Sequence, residues 1–373
     1  MQLFNRRSVL KQGLQTAAWV RIGRGVCSAS TPKCDKSFCV GAIRWDAWYA
    51  PGSDIGKATT KTLSPPRYQF RLPFFSQLKD HEHPLIDGNH KAIMIEEISY
   101  AVSSGLSYWA FAGYGRDNPL SAGLKLYLDI DRRDKLSFCM ISELINWSHV
   151  DVQQWHIELM QSPYYQKVLS GRPLYFIGFF QEAMIDAKWG GVEGLKAHLA
   201  EFRTAITSAG LADPYIVVLD YEPETAARYA NSLACDAIST YAINRNMRSA
   251  PFGELLKEAE ADWKDRAATN MQVIPTVTTG FDRRPRVENP FPWGTPPLDP
   301  QSQMAFYYKS ARPDQLSDEL RDCLHWIDAN PKSVPTRTAL IYAWNENDEG
   351  GWLIPTYPRV TDRIDAVKEV LCP

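Results

Sequence analysis

From residue 37 onward, short β-branched or aromatic runs alternate with longer stretches in which apolar residues recur every three or four positions. That alternation is the pattern of βα units built around a parallel sheet. Eight runs predict strands, at 38–45, 106–112, 135–142, 172–179, 215–220, 236–241, 272–277 and 338–344. Between them, helices are predicted at 91–104, 192–209, 223–232, 253–267 and 313–330. In the second of these, Leu195, Leu199, Phe202 and Ile206 mark one apolar face.

Eight strands separated by crossovers predict an α/β fold, a single (β/α)₈ TIM barrel, with a doubly wound open sheet as the alternative topology. Such barrels take roughly 250 residues and tolerate insertions past 400, so 35–373 is read as one catalytic domain. Two connections are long, 49–89 after the first strand and 278–306 after the seventh, and both are rich in Pro, Gly and aromatic residues. Each follows a strand, which places it at the C-terminal face where barrel enzymes assemble their sites.

Composition narrows the partners. With 45% hydrophobic and 23% charged residues and a formal net charge of -2 over 373 residues, no attraction to nucleic acid or to a membrane surface follows. No run approaches the roughly 20 apolar residues that cross a bilayer, so no membrane span is expected. The 12 Trp and 17 Tyr exceed what a core needs, and their flat apolar faces with a polar edge suit the stacking of sugar rings.

Of the seven cysteines, Cys139 and Cys235 fall in strand-like runs and read as core residues. Cys27, Cys34, Cys39, Cys323 and Cys372 show no CxxC spacing, so a zinc site has no support. One or two disulfides fit an exported protein, with the pairing left open. Residues 1–34 carry Arg6, Arg7, Lys11, Arg21, Arg24 and Lys33 and no acid. The run from Asn5 through Arg6 and Arg7 to Lys11 resembles a twin-arginine signal, followed by a weakly apolar stretch and a cleavage-like Cys27-Ser28-Ala29. Export to a periplasmic or extracellular location is the expectation; the alternatives are a transit peptide or a plain basic tail on a cytoplasmic protein.

The sharpest chemical signal is the change from apolar strand to polar loop in Leu340-Ile341-Tyr342-Ala343-Trp344-Asn345-Glu346-Asn347-Asp348-Glu349-Gly350. If that loop starts a helical turn, Glu346 and Glu349 share a face with Cβ atoms roughly 5–6 Å apart. Unequal burial and mutual repulsion then make one carboxyl an acid and leave the other a base, which is the equipment for breaking an acetal. The plainer reading is a solvated acidic turn with Asn345 and Gly350 as turn formers.

At this segment a family resemblance enters. Trp344-Asn345-Glu346-Asn347-Asp348-Glu349-Gly350 resembles the W-N-E-W-x-E-G signature of glycoside hydrolase family 99 and WbsX-type barrel proteins. Gly41-Ala42-Ile43-Arg44-Trp45-Asp46-Ala47-Trp48-Tyr49 looks like the family's aromatic first strand, and Gly105-Leu106-Ser107-Tyr108-Trp109-Ala110-Phe111 like its second. Pro275-Thr276-Val277-Thr278-Thr279-Gly280-Phe281-Asp282-Arg283-Arg284-Pro285-Arg286 is similar to its segment after the seventh strand. The resemblance implies a (β/α)₈ fold and a glycan substrate. It also implies retention of configuration, with Glu346 deprotonating a sugar 2-hydroxyl that attacks the anomeric carbon from within. Glu349 would then protonate the leaving oxygen and afterwards activate water. Asn347 and Asp348 depart from the signature, so substrate identity does not transfer.

Polar residues at other strand ends are candidates for binding sugar hydroxyls: Asp46, Glu143, Asp220, Tyr241 and Asp282, with Glu222 the weakest and Asn345 inside the signature itself. For any of the acids, pairing with an arginine such as Arg44 or Arg283 is an equal alternative. Trp45, Trp48, Tyr114, Trp293 and Trp352 are candidate stacking platforms, whereas Trp109 reads as core. His81-Glu82-His83 has metal-ligand chemistry but lies deep in a loop, and no metal or other cofactor is expected. No GxSxG elbow, P-loop or GxGxxG follows a strand. The expected function is hydrolysis of glycosidic bonds in a glycan; the competing readings are a non-catalytic carbohydrate-binding barrel and a glycosyl-transferring protein of a polysaccharide pathway.

Overall fold

The computed structural model describes residue 34 and residues 37–80, 83–130, 136–245, 248–292 and 299–373. The basic segment expected to direct export, apart from Cys34, lies outside the described residues.

All eight predicted strands form, and they are parallel. Cys39–Arg44, Tyr108–Gly113, Ser137–Glu143, Arg172–Gly178, Tyr215–Leu219 and Ala237–Ser239 pair successively. The first strand pairs on its other side with the eighth, Thr338–Tyr342. The seventh strand closes the barrel in two pieces. Gln272–Val273 pairs with the sixth strand, and Thr276–Thr278 pairs with the eighth. Pro275 lies between the pieces and has no N–H to give to a ladder. Side chains stitch the interruption: Ser239 Oγ donates to the Ile274 carbonyl at 2.7 Å and Thr276 Oγ1 to the Thr240 carbonyl at 2.7 Å. The fold is therefore a (β/α)₈ barrel, and the open-sheet alternative is excluded by the seventh strand's contacts on both sides.

Strands covered on both faces must be apolar throughout, which is why Tyr215–Leu219 is a continuous buried run. Gly41 is required within the first strand, because a Cβ there would lie 2.2 Å from the Tyr108 ring that crosses beside it. The long segment after the first strand is more than a loop. It contains the helix Asp54–Thr62 and packs Trp48, Leu63, Tyr68, Leu72 and Ile86 into a separate apolar cluster.

Beneath the C-terminal face, fully buried Arg44 donates to Glu97 (Nη1, 2.6 Å) and to Asp46 (Nε, 2.8 Å), while its guanidinium lies 4.3 Å from the Trp109 ring centroid. Glu97 also accepts from Trp344 Nε1 at 2.8 Å and from Tyr49 Oη. A buried charge is tolerated only when paired and hydrogen-bonded. This network meets that condition and ties the ends of the first and eighth strands to the helix Lys91–Ser103.

Cys34 and Cys372 form a disulfide that joins the two ends of the barrel domain. Cys139, Cys235 and Cys323 are buried thiols, as the strand-like runs around the first two suggest. No helix among the described residues is long and apolar enough to cross a membrane.

Candidate active site

The eighth strand ends at Tyr342, and the chain then makes a small hairpin in which Asn345–Glu346 pairs antiparallel with Gly351–Trp352. A 3₁₀ turn, Asn347–Glu349, closes it. Gly350 follows with φ 88°, and a Cβ there would approach the Asp282 amide to 2.5 Å, so the position needs glycine twice over. The Asp282 N–H donates to the Glu349 carbonyl at 2.6 Å, which clasps the connection after the seventh strand to the hairpin.

That clasp delivers Arg286 to the carboxylates. Its Nε and Nη2 donate to the two oxygens of Asp348 at 2.6 and 3.1 Å, Nη2 also lies 3.2 Å from Glu346, and Nη1 donates to Glu349. One guanidinium thus spans the whole triad, lying 4.9 Å from the Trp45 ring centroid and 5.0 Å from that of Phe291. Glu349 is further held by Arg283 Nε at 3.1 Å and by a 2.8 Å hydrogen bond from Tyr342 Oη. Glu346 accepts from Tyr241 Oη at 2.6 Å.

These surroundings drive the two glutamates apart. Burial, then the neighbouring charge of Glu349, push the Glu346 carboxyl up to about 8, although Arg286 and the Tyr241 hydrogen bond oppose the shift. Burial also penalises a charge on Glu349, but Arg286, Arg283 and Tyr342 hold it below the ordinary carboxyl value. The two shifts run in opposite directions, Glu346 upward and Glu349 downward, as a coupled pair.

The two glutamates line a cleft of about 470 Å³ at the C-terminal face. Trp45, Tyr114, Glu143, Phe179, Tyr241 and Phe291 contribute to its walls. Trp45 Nε1 donates to Tyr114 Oη at 3.1 Å, which fixes both rings. Glu143 ends the third strand, and burial raises its carboxyl. Phe179 adopts φ 60° just beyond the fourth strand, a conformation costing a bulky residue about 1–2 kcal/mol. Its ring packs edge-on against Tyr241 at 5.5 Å.

The structure thus brings together Trp45, Tyr114, Glu143, Tyr241, Glu346 and Glu349, with Asp220 in an adjoining cavity. Five other candidates do not face the cleft. Asp46 is buried against Arg44, and burial pushes it up to about 6 despite that partner. Asn345 is buried and exchanges hydrogen bonds with the Trp45 backbone, receiving from N at 2.9 Å and donating to O at 2.8 Å. Asp282 is buried between Arg71 and Arg284. Burial opposes its charge, yet those two arginines hold it below the ordinary value. Trp48 belongs to the apolar cluster of the first connection. Trp352 is buried against Arg363, whose guanidinium lies 4.0 Å from its ring centroid. In each case an arginine, a backbone partner or an apolar cluster captured the side chain.

Trp293 lies outside the described residues, as do His81 and Glu82. His83 faces Asp80 at the exposed surface, 2.7 Å from Nδ1 to Oδ1. Among the described residues no group of three or more His, Cys, Asp and Glu side chains could hold a metal ion. Glu222 starts the helix Pro223–Ser232 as its N-cap. Sequence reasoning singled out neither Arg286 nor Tyr342 for the site. Arg286 stood within the quoted motif after the seventh strand, and Tyr342 was the last polar-tipped residue of an apolar strand.

No protein-family profile matches the chain, and no curated protein matches its sequence. Solved structures do. The GH99 endo-alpha-mannosidase from Bacteroides thetaiotaomicron in complex with bis-tris-propane superposes with a TM-score of 0.54 at 15% identity, covering 89% of this chain and 94% of that one. A second structure titled as the GH99 endo-alpha-mannosidase of that organism gives 0.53 at 14% identity, covering 89% and 95%. The likeness establishes a fold like that of glycoside hydrolase family 99.

Proposed function

We propose that this protein is a retaining glycoside hydrolase acting on a glycan, with Glu346 and Glu349 as its acid–base pair. The observation that carries the reading is geometric: Arg286, Tyr241 and Tyr342 hold the carboxyls of Glu346 and Glu349 side by side at the wall of an aromatic cleft. One proton shared between two carboxyls is the charge state that acid–base cleavage of an acetal needs. The fold and the Glu-x-x-Glu hairpin support two carboxyls acting together, and the resemblance supplies the division of labour between them. Glu346 takes the 2-hydroxyl proton as O2 attacks the anomeric carbon, and Glu349 protonates the leaving oxygen; Glu349 then deprotonates a water that attacks the anomeric carbon while the C1–O2 bond breaks and Glu346 returns its proton to O2.

That division requires the proton to pass from Glu346 to Glu349 when substrate enters, because Arg286 and Arg283 keep Glu349 ionised in the free protein. The same ion pairs favour a second reading in which the roles are exchanged, Glu346 serving as the acid. An oxidising location fits the Cys34–Cys372 disulfide and supports export as part of the proposal.

The test is release of reducing ends from α-mannan, the first polymer to try given the structural relatives, and from α-glucans and mixed bacterial and plant polysaccharides. Release by the native protein and none by Glu349→Gln supports the reading. Binding of a polymer by both proteins without release would replace it with a carbohydrate-binding barrel.

A further inference from the structure

The cleft does not end at the glutamates. A second cavity of about 240 Å³ adjoins it and shares Phe179, Tyr221 and Tyr241 as walls, adding Phe180, Gln181 and Asp220. A third, of about 410 Å³, lies beyond and is lined by Tyr221, Glu222, Glu224, Asn244 and Arg245 among others. Tyr221 is the residue common to all three. It is 47% exposed, where an isolated tyrosine on a turn would have no structural reason to be rigid.

Yet the turn that carries it is built rigidly. Arg266, fully buried, donates from Nη2 to the carbonyls of Asp220 at 2.8 Å and Tyr221 at 3.2 Å. Arg266 is itself held by Asp262, from Nε at 2.7 Å and Nη2 at 3.1 Å. Asp220 Oδ1 accepts from the Glu222 amide at 3.0 Å, and Pro223 immediately opens a helix. A buried charge holds this short surface turn, and the turn carries an exposed phenol ring. A fixed backbone at the root of an exposed aromatic ring lowers the entropy lost when the ring stacks on a sugar.

We infer that Tyr221 is a sugar platform at the junction of a groove that runs from the carboxylate pair across the ends of the fourth to sixth strands, and that the groove takes further units of a neutral glycan chain. Neutrality follows from the lining. Asp220, Glu222 and Glu224 offer acceptors for hydroxyl groups, while Arg245, the one cation among the described lining residues of the two outer cavities, is bound to Asp262 at 2.9 Å and Asp265 at 3.0 Å. In the two outer cavities, beyond Arg283 and Arg286 of the inner cleft, polyuronates or sulfated chains would meet carboxylates without a free counter-charge. The inference deepens the hydrolase reading by naming the substrate class and the direction in which the chain lies.

The experiment is affinity electrophoresis of the Glu349→Gln protein, with and without Tyr221→Ala or Tyr221→Phe. The gels contain α-mannan, α-glucan, β-glucan or xylan, and, as anionic counterparts, polygalacturonate or heparan sulfate. For each retarding polymer, oligomers of two to six units are then titrated. At least one neutral polymer should retard the parent protein. Tyr221→Ala should weaken that retardation roughly three- to tenfold, the worth of one aromatic contact, and should reduce the affinity gained between two and six units. Tyr221→Phe, which keeps the ring, should restore most of both. Retardation by anionic polymers alone, by no polymer, or equally in the Tyr221→Ala protein overturns the groove. Cleavage by the native protein is scored separately. A groove that binds through Tyr221 in a protein that cleaves nothing would remove the hydrolase reading and keep this one, and cleavage that is indifferent to Tyr221 would do the reverse.

Discussion

Arg286 and Asp348 form a two-pronged ion pair, Nε to Oδ2 at 2.6 Å and Nη2 to Oδ1 at 3.1 Å, in which the carboxylate is wholly buried. Asp348 thereby anchors a cation, and the anchored guanidinium lowers both Glu346 and Glu349 on either side of it. Replacing Arg286 by Gln strands a buried carboxylate, a change that typically destabilises by about 3–5 kcal/mol. A large fall in melting temperature is expected in Arg286→Gln, and a smaller one in Arg286→Lys, which keeps the charge but loses the fork.

The pH dependence of kcat/KM should be bell-shaped, with an upper limb near the value of about 8 that burial imposes on Glu346 and a lower limb below the ordinary carboxyl range, where Glu349 gains its proton. These limbs belong to the pair and arise from either assignment of roles. Arg286 lowers both glutamates, so its removal should move both limbs to higher pH. A profile in Arg286→Gln that coincides with the native one would show that the guanidinium does not set the proton's place.

Roles are separated by a substrate that needs no acid. With a glycosyl fluoride the leaving group departs unprotonated, so the Glu349→Gln protein should keep the first step while Glu346→Gln loses it. On natural glycan each variant should lose about 10²–10⁴ in turnover, the usual contribution of positioned proton transfer. If Glu346→Gln is the variant rescued by fluoride, the roles are exchanged.

Asp282 offers a control for position against chemistry. It touches Arg71 and Arg284 rather than the cleft, and its backbone amide carries the clasp to Glu349. Asp282→Asn should lower the melting temperature, because Arg71 would be left buried without its charge partner. It should reduce activity by misplacing Arg286, with the pH limbs shifted in the same direction as in Arg286→Gln. Loss of stability with an unshifted profile would confine Asp282 to the fold.

The disulfide should matter to stability alone. Cys34 and Cys372 are 338 residues apart in the chain, and closing a loop of that size restrains the unfolded state. Cys34→Ser with Cys372→Ser, or treatment with a thiol reductant, should cost about 2–4 kcal/mol in chemical denaturation. Activity at temperatures where the variant stays folded should match the native protein.

Much of this was open to a reader of the sequence. The eight barrel strands are legible because strands covered on both faces must be continuously apolar, and the helices between them because one face of each is apolar. Both signals are local. Glu346 and Glu349 stand out by an abrupt change from apolar strand to a glycine-closed acidic turn, a pattern that also fits a solvated acidic turn, and the family resemblance favours the catalytic reading. What a strand-end position could not tell was direction. Asp46 and Glu143 both follow barrel strands, yet Arg44 captures one and the other faces the cleft.

Asn345 is turned away from the cleft by a backbone 300 residues distant, and Trp352 by Arg363. Arg286 stands 60 residues before Glu346 and reaches it only because the last two connections of the barrel are clasped at Asp282 and Glu349. The sequence by itself determined the eight strands and their order and marked the two glutamates as candidates, because each of these signals depends on neighbours within a turn or a strand. The tertiary structure alone decided which side chains share the cleft and in which direction each glutamate's carboxyl is shifted, because both depend on charges and partners brought together from distant parts of the chain.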